Sequence, residues 1–197
     1  AGRADGGAGG AVDEDAGSAA LGANGEAPEH DASFDASDRV VIPGLINTHH
    51  HMYQTLTRAV PAAIDQELFD WLKTLYPVWA GLTPDMISSS SELAMAELLL
   101  SGCTTTTDHH YVFPAGHEDA IDRQVAAAER LGIRVVLTRG SMSLSVEDGG
   151  LPPATVVQDE DTIMADSARL IDQFHDAGPL AMTQSALAPC SPFSVTK

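Results

Sequence analysis

The sequence predicts an α/β fold, a parallel sheet with helices packed outside it. Three observations lead there. Strand-like and helix-like segments alternate as β-α-β-α-β-α-β, and each helix is followed closely by a strand. The chain's 197 residues, 44% of them apolar, are ample for one domain with a real core. Such alternation leaves two architectures open, a doubly wound open sheet or a (βα)8 barrel of which only four strands would be present.

Arg39-Val40-Val41-Ile42 has the character of a strand, which Pro43-Gly44 interrupts and Leu45-Ile46-Asn47-Thr48 resumes. Between Glu67 and Tyr76 the residues Leu68, Trp71, Leu72, Leu75 and Tyr76 fall at helical spacing, and Pro77 is expected to stop that helix. Thr83-Pro84 is an N-cap followed by proline at the first helical position; it opens a long helix that Gly102 closes. Cys103 to Asp108 is short and β-branched, hence a strand. A third helix spans about Glu118 to Leu131 and stops at Gly132. Ile133 to Thr138 is an apolar strand of the kind buried on both faces. The Gly/Pro-bearing loop from Gly140 to about Val157 leads to a fourth helix through Ile163, Leu170, Ile171 and Phe174, ended by Gly178-Pro179. A last strand, Leu180 to Leu187, runs into Ala188-Pro189-Cys190-Ser191-Pro192.

Residues 1–37 stand apart. They are rich in Gly, Ala and Asp and hold only isolated large apolar residues, Val12, Leu21 and Phe34. Too little surface can be buried there to offset the entropy of ordering, so an irregular segment is expected. The charge narrows the partners. With 28 acids against 10 bases the chain carries −18, which argues against nucleic acid and anionic membranes. It has no apolar run of about 18 residues and no basic start followed by an apolar stretch. Cys103 and Cys190 are too few and too far apart for a disulfide framework. A soluble cytoplasmic protein is the expectation.

The chemistry concentrates in Asn47-Thr48-His49-His50-His51-Met52-Tyr53-Gln54, at the C-terminal end of the first strand. Residues two apart on a strand face the same way, so His49 and His51 project together and His50 points elsewhere. Two neutral imidazoles on one face make half of a Zn2+ or Fe2+ site, with the other ligands coming from later strands. The C-terminal rim of a parallel sheet is also where α/β proteins carry their sites. A chance histidine run on a loop is the plainer alternative, and the apolar strand and Pro-Gly break before it weigh against that.

These residues carry a resemblance. PGLINTHHHMYQTLTR resembles the first-strand signature of the amidohydrolase superfamily, within it the aromatic deaminase group, and the wording NTHHHMYQTLTR with DHHYVFP is most similar to its 8-oxoguanine deaminases. The likeness continues through LFDWLKTLYPVWAGLTPDM, AELLLSGCTTTTDHHYVFP and ALAPCSPFSVT, covering roughly Ser37 to Lys197.

The resemblance implies the first half of a (βα)8 TIM-type barrel over 38–197, strands one to four, with 1–37 as a remnant or replacement of the small β domain that flanks such barrels. It implies one divalent metal ion, Zn2+ before Fe2+, held in part by His49 and His51; Leu180 to Cys190 lacks the lysine with which binuclear members bridge two metals. Gln54 would face a small heteroaromatic substrate, since an amide both donates to and accepts from a purine edge. Arg58 and Trp71 would line the pocket, unless they are a surface arginine and a core tryptophan. His109 and His110, at the end of the second strand, would shape it with Asp108; a turn or N-cap role for Asp108 and a satisfied polar contact for His109 are the alternatives. Cys190 would stand in the pocket wall. The implied reaction is hydrolytic deamination of 8-oxoguanine or guanine, with metal-activated water attacking the amine-bearing ring carbon and ammonia leaving. A homo-oligomer is implied for the full-length protein. Alternatives are a triazine-type amino- or chlorohydrolase, or a catalytically incomplete fragment: the catalytic residues belong to later strands, and none of His109, His110, His117 or His175 matches those motifs.

Overall fold

The computed structural model describes residues 34–196. The Gly/Ala/Asp-rich segment expected to be irregular lies outside them as far as residue 33. Chain contacts divide at Ile42/Pro43, and every strand and helix below belongs to the second unit. In the first unit a turn at Ser37-Asp38, with Asp35 Oδ1 accepting from the Ser37 N–H at 2.8 Å, precedes Arg39–Ile42. Those four residues are not a strand, contrary to expectation, and Val40 is 89% exposed. Pro43 offers no N–H to a ladder, and pairing starts only at Leu45, level with Cys103, the first residue of the neighbouring strand.

The elements are β1 Leu45–Asn47, α1 Leu68–Trp79, α2 Pro84–Leu100, β2 Cys103–His110, α3 Ala120–Leu131, β3 Arg134–Ser141, α4 Glu160–Phe174 and β4 Thr183–Pro189. All strand pairs are parallel, and their order across the sheet is β1-β2-β3-β4. That order decides between the two architectures. A doubly wound sheet reverses its strand order at a switch point, whereas successive right-handed crossovers without reversal keep the helices on one side, as in a barrel wall.

The burial pattern agrees. Thr106, Asp108 and His110 on β2 lie level with Val135, Leu137 and Arg139 on β3, and all six are buried. The alternate residues Thr105, Thr107 and His109, with Arg134, Val136 and Thr138, are half-buried on the opposite face. β3 is therefore covered on one face rather than on both. Arg139 belongs to the covered face; it is 2% exposed and bonds Asp166 (3.0 Å), Gln158 (2.8 Å) and the Gly140 carbonyl (2.7 Å). A buried guanidinium is tolerable only with such partners.

Local signals hold at most boundaries. Thr83 caps α2 by accepting from Met86 N–H, Asp159 caps α4 by accepting from Thr162 N–H, and Gly132 ends α3 at φ 71°. Four boundaries shift: β2 runs on to His110 and β3 to Ser141, and two others have a visible cause. α1 continues past Pro77 to Trp79, because a proline in the last turn forfeits a single hydrogen bond while the fully buried Trp79 anchors that turn in the core. β4 starts at Thr183 rather than Leu180, since Leu180 sits at φ 62° in a turn closed by the Ala181 N–H on the Gly178 carbonyl. Two glycines answer close approaches. A Cβ on Gly44 would stand 2.1 Å from Thr104 Oγ1, and one on Gly140 would stand 2.5 Å from Tyr111 Cβ.

Candidate active site

β1 ends at Asn47, and the chain passes the tip of β2 before entering a 3-10 turn, Met52–Thr57. Three bonds pin this passage to β2. His109 N–H donates to the His50 carbonyl (2.9 Å), His51 Nδ1 donates to the His109 carbonyl (2.7 Å), and Met52 N–H donates to Asp108 Oδ1 (2.6 Å). His49 and His51 come together, their ring centroids 5.0 Å apart at 89°, although both lie beyond the end of β1 at Asn47. The His109 ring stands 5.4 Å from that of His51, and its Nε2 donates to the Ala188 carbonyl on β4 (2.9 Å).

The tautomers follow from these bonds. With Nδ1–H committed to a carbonyl, His51 presents Nε2 as a lone pair. Burial, partly offset by that bond, holds the His51 imidazole below its usual pKa, and burial does the same for His109. Neutral imidazole beside a backbone-anchored ring nitrogen is the form in which histidine binds a divalent cation. His49 and His51 bring two imidazole rings within 5.0 Å of each other. Among the described residues no group of three or more His, Cys, Asp or Glu side chains is close enough to hold such an ion.

Two cavities meet at His51. One, about 300 Å3, is bordered by His49, His50, His51, Gln54, Arg58 and Trp71. The other, about 320 Å3, has His51, Gln54 and Trp71 again, with His109, Tyr111 and Cys190 among its other walls. His50, expected to point elsewhere, borders the first cavity beside its neighbours: the ladder has ended, so strict alternation no longer applies. Gln54 donates from Nε2 to the hydroxyls of Tyr53 (3.2 Å) and Tyr111 (3.4 Å), so its amide is held at the junction of both cavities. Arg58 borders the first cavity while donating to Glu97 (Nη1 to Oε1, 3.0 Å). Trp71 is half-buried with its ring 5.2 Å from that of Trp79. Cys190 stays a thiol, its pKa raised by burial.

His110 is not brought to these cavities. Its ring packs against Tyr53 and Phe113 on the covered face, Nε2 donates to the Val112 carbonyl (2.7 Å), and burial pushes its pKa down to about 3. Tyr111 and Tyr76, which border the second cavity, carried no signal as separate residues. The only sequence clue was that Tyr111 directly follows the strand that ends in His109-His110.

Known proteins are similar to this chain in sequence and fold. The amidohydrolase family matches residues 40–197. The chain is 59% identical over 191 residues to the 8-oxoguanine deaminase of Pseudomonas aeruginosa, covering 96% of this chain and 42% of that protein. It is 42% identical over 154 residues to the hydroxydechloroatrazine ethylaminohydrolase of Pseudomonas sp. strain ADP, covering 76% of this chain and 32% of that protein. Among solved structures, the zinc complex of atrazine chlorohydrolase TrzN from Arthrobacter aurescens TC1 superimposes with a TM-score of 0.75 at 32% identity, over 84% of this chain and 40% of that one. The chain thus spans about two fifths of the length of its 59%-identical relative.

Proposed function

The chain belongs to the amidohydrolase family, and from that premise we propose that it forms part of a metal-dependent deaminase of a purine-like base, 8-oxoguanine or guanine. The observation that carries the reading is the place of His51. One neutral imidazole, anchored through Nδ1, stands at the wall shared by two cavities of a size to receive a bicyclic base and its attacking water. His49 and His51 would hold the ion, Zn2+ as in the solved relative. When bound, a divalent cation lowers the pKa of its water toward neutrality and so supplies a nucleophile. The chain's own residues do the rest of the positioning. Gln54, held by two tyrosine hydroxyls, offers its carbonyl oxygen to a ring N–H of the base. Trp71 and Tyr111 give the base aromatic walls, and His109 borders it from β2.

Two imidazoles are fewer than the three protein ligands of a catalytic zinc site, so the remaining donors would come from outside residues 34–196, and residues 38–197 alone would not turn over substrate. The same reading makes 38–197 a barrel half and 1–37 a remnant or replacement of a small flanking β domain, in a cytoplasmic protein. Ammonia release by the complete gene product from 8-oxoguanine, guanine and an aminotriazine tests the proposal. Turnover of a purine supports it, and no ammonia from either purine would overturn it. Turnover of the triazine alone would favour the second reading, which the 42% identity to an ethylaminohydrolase motivates.

A further inference from the structure

The turn that carries the histidines has no cap of its own. His51 occupies the N-cap position of Met52–Thr57 without a side-chain bond to that turn, and Met52 is fully buried, so water cannot satisfy its N–H. The missing acceptor comes from 56 residues away: Asp108 Oδ1 on β2, at 2.6 Å. A local cap would shape the turn only. A cap rooted in another strand also fixes where the turn stands in the sheet.

Asp108 is itself braced. Its Oδ2 accepts from Gln124 Nε2 on α3 at 2.6 Å, and its carbonyl accepts from Thr138 Oγ1 on β3 at 2.8 Å. Asp108 and Gln124 are 1% and 0% exposed. Beside it the His109 main chain makes the two other bonds to the turn, at His50 and His51. We propose that Asp108 is the positioning residue of the histidine-bearing turn: braced by Gln124, its Oδ1 holds the Met52 N–H and thereby sets the stance of His51 toward the metal ion. The inference rests on the reading of His49 and His51 as metal ligands. Ligand orientation from groups behind the coordinating shell governs metal affinity, which gives the role a readout of its own.

The chemistry separates the variants. Asp108→Ala removes the acceptor and strands two buried donors. Asp108→Asn keeps an oxygen for Met52 N–H, and its amide can be met by turning Gln124 over, because Gln124 Oε1 has no partner among the described residues. Gln124→Leu loosens the brace without touching the cap. Asp159→Ala is the control: it deletes another capping carboxylate, on α4, far along the chain from the turn.

The test measures zinc affinity of the complete gene product by chelator competition, the absorption spectrum of its Co2+ form, and thermal unfolding. Expected are zinc binding weakened by about 10–100-fold with an altered cobalt spectrum in Asp108→Ala, a smaller loss in Gln124→Leu, and near-native binding in Asp108→Asn. Asp159→Ala should lower thermal stability and leave affinity and spectrum unchanged. Native affinity and cobalt spectrum in a folded Asp108→Ala protein would overturn the inference. If that variant does not fold, unchanged affinity in Gln124→Leu overturns it. A native protein that binds no zinc would instead overturn the metal reading, and this inference with it.

Discussion

His49-His50-His51 and His109-His110 stand at the tips of neighbouring parallel strands, yet they meet different fates. The first run lies beyond Asn47, where the β1 ladder has ended, and all three of its side chains border one cavity. The second run lies inside β2, where period-two alternation still holds. His109 therefore faces the cavity, and His110 faces the helices, buried against Tyr53 and Phe113. Identical side chains at a strand tip border one cavity together, or divide between cavity and core, according to whether the ladder continues beneath them.

Breaking the first run should give the largest effect. His51→Ala, in the complete gene product, is expected to weaken zinc binding by about 1000-fold or more and to abolish ammonia release, since the proposed function makes it one of few ligands. Metal content after dialysis against a chelator checks this. The second run should split. His110→Ala is expected to cost about 3 kcal/mol of stability in urea unfolding, as truncations in a packed core do, while a folded preparation retains its KM. His109→Ala should raise KM and change stability by less than about 1 kcal/mol. Equal stability losses at the two positions would contradict the alternation.

The smallest effect is a slope. Burial pushes the Asp108 carboxyl up to about 7, against the pull of Gln124 and the Met52 N–H, whereas an unfolded aspartate titrates near about 3.9. The folded state binds that proton more tightly. The stability from this group is therefore fully present below about pH 4 and is lost as pH rises toward 7, by up to about 1.4 kcal/mol per pH unit. Asp108→Asn should remove that slope, which urea unfolding at pH 4, 5, 6 and 7 would show. An unchanged slope would mean that Asp108 is ionised throughout.

Much of the fold was legible because its signals are local. Thr83-Pro84, Asp159 and Gly132 mark helix ends by backbone chemistry that needs no partner. Where the expectation slipped, a distant element had intervened. Arg39–Ile42 has strand composition but joins no ladder among the described residues, and α1 outlasts Pro77 because Trp79 is anchored in the core. In the site, the gathering of His49 and His51 at the first strand's tip was legible from the sequence, but not which side chains share a cavity, since the ladder ends at Asn47 and His50 joins them. The pocket faces of Tyr111 and Tyr76 were not, since nothing in an isolated tyrosine distinguishes a cavity wall from a core position.

Residue order alone established the alternation of strands and helices, the crowding of imidazoles at the first strand's tip and the acid-rich charge, because each depends on near neighbours along the chain. Tertiary structure alone decided which strand lies beside which, which face of β2 the helices cover, and that Asp108 caps a turn 56 residues away. Those outcomes depend on groups far apart in sequence. Their bonds have value only once the rest of the core has excluded water from them.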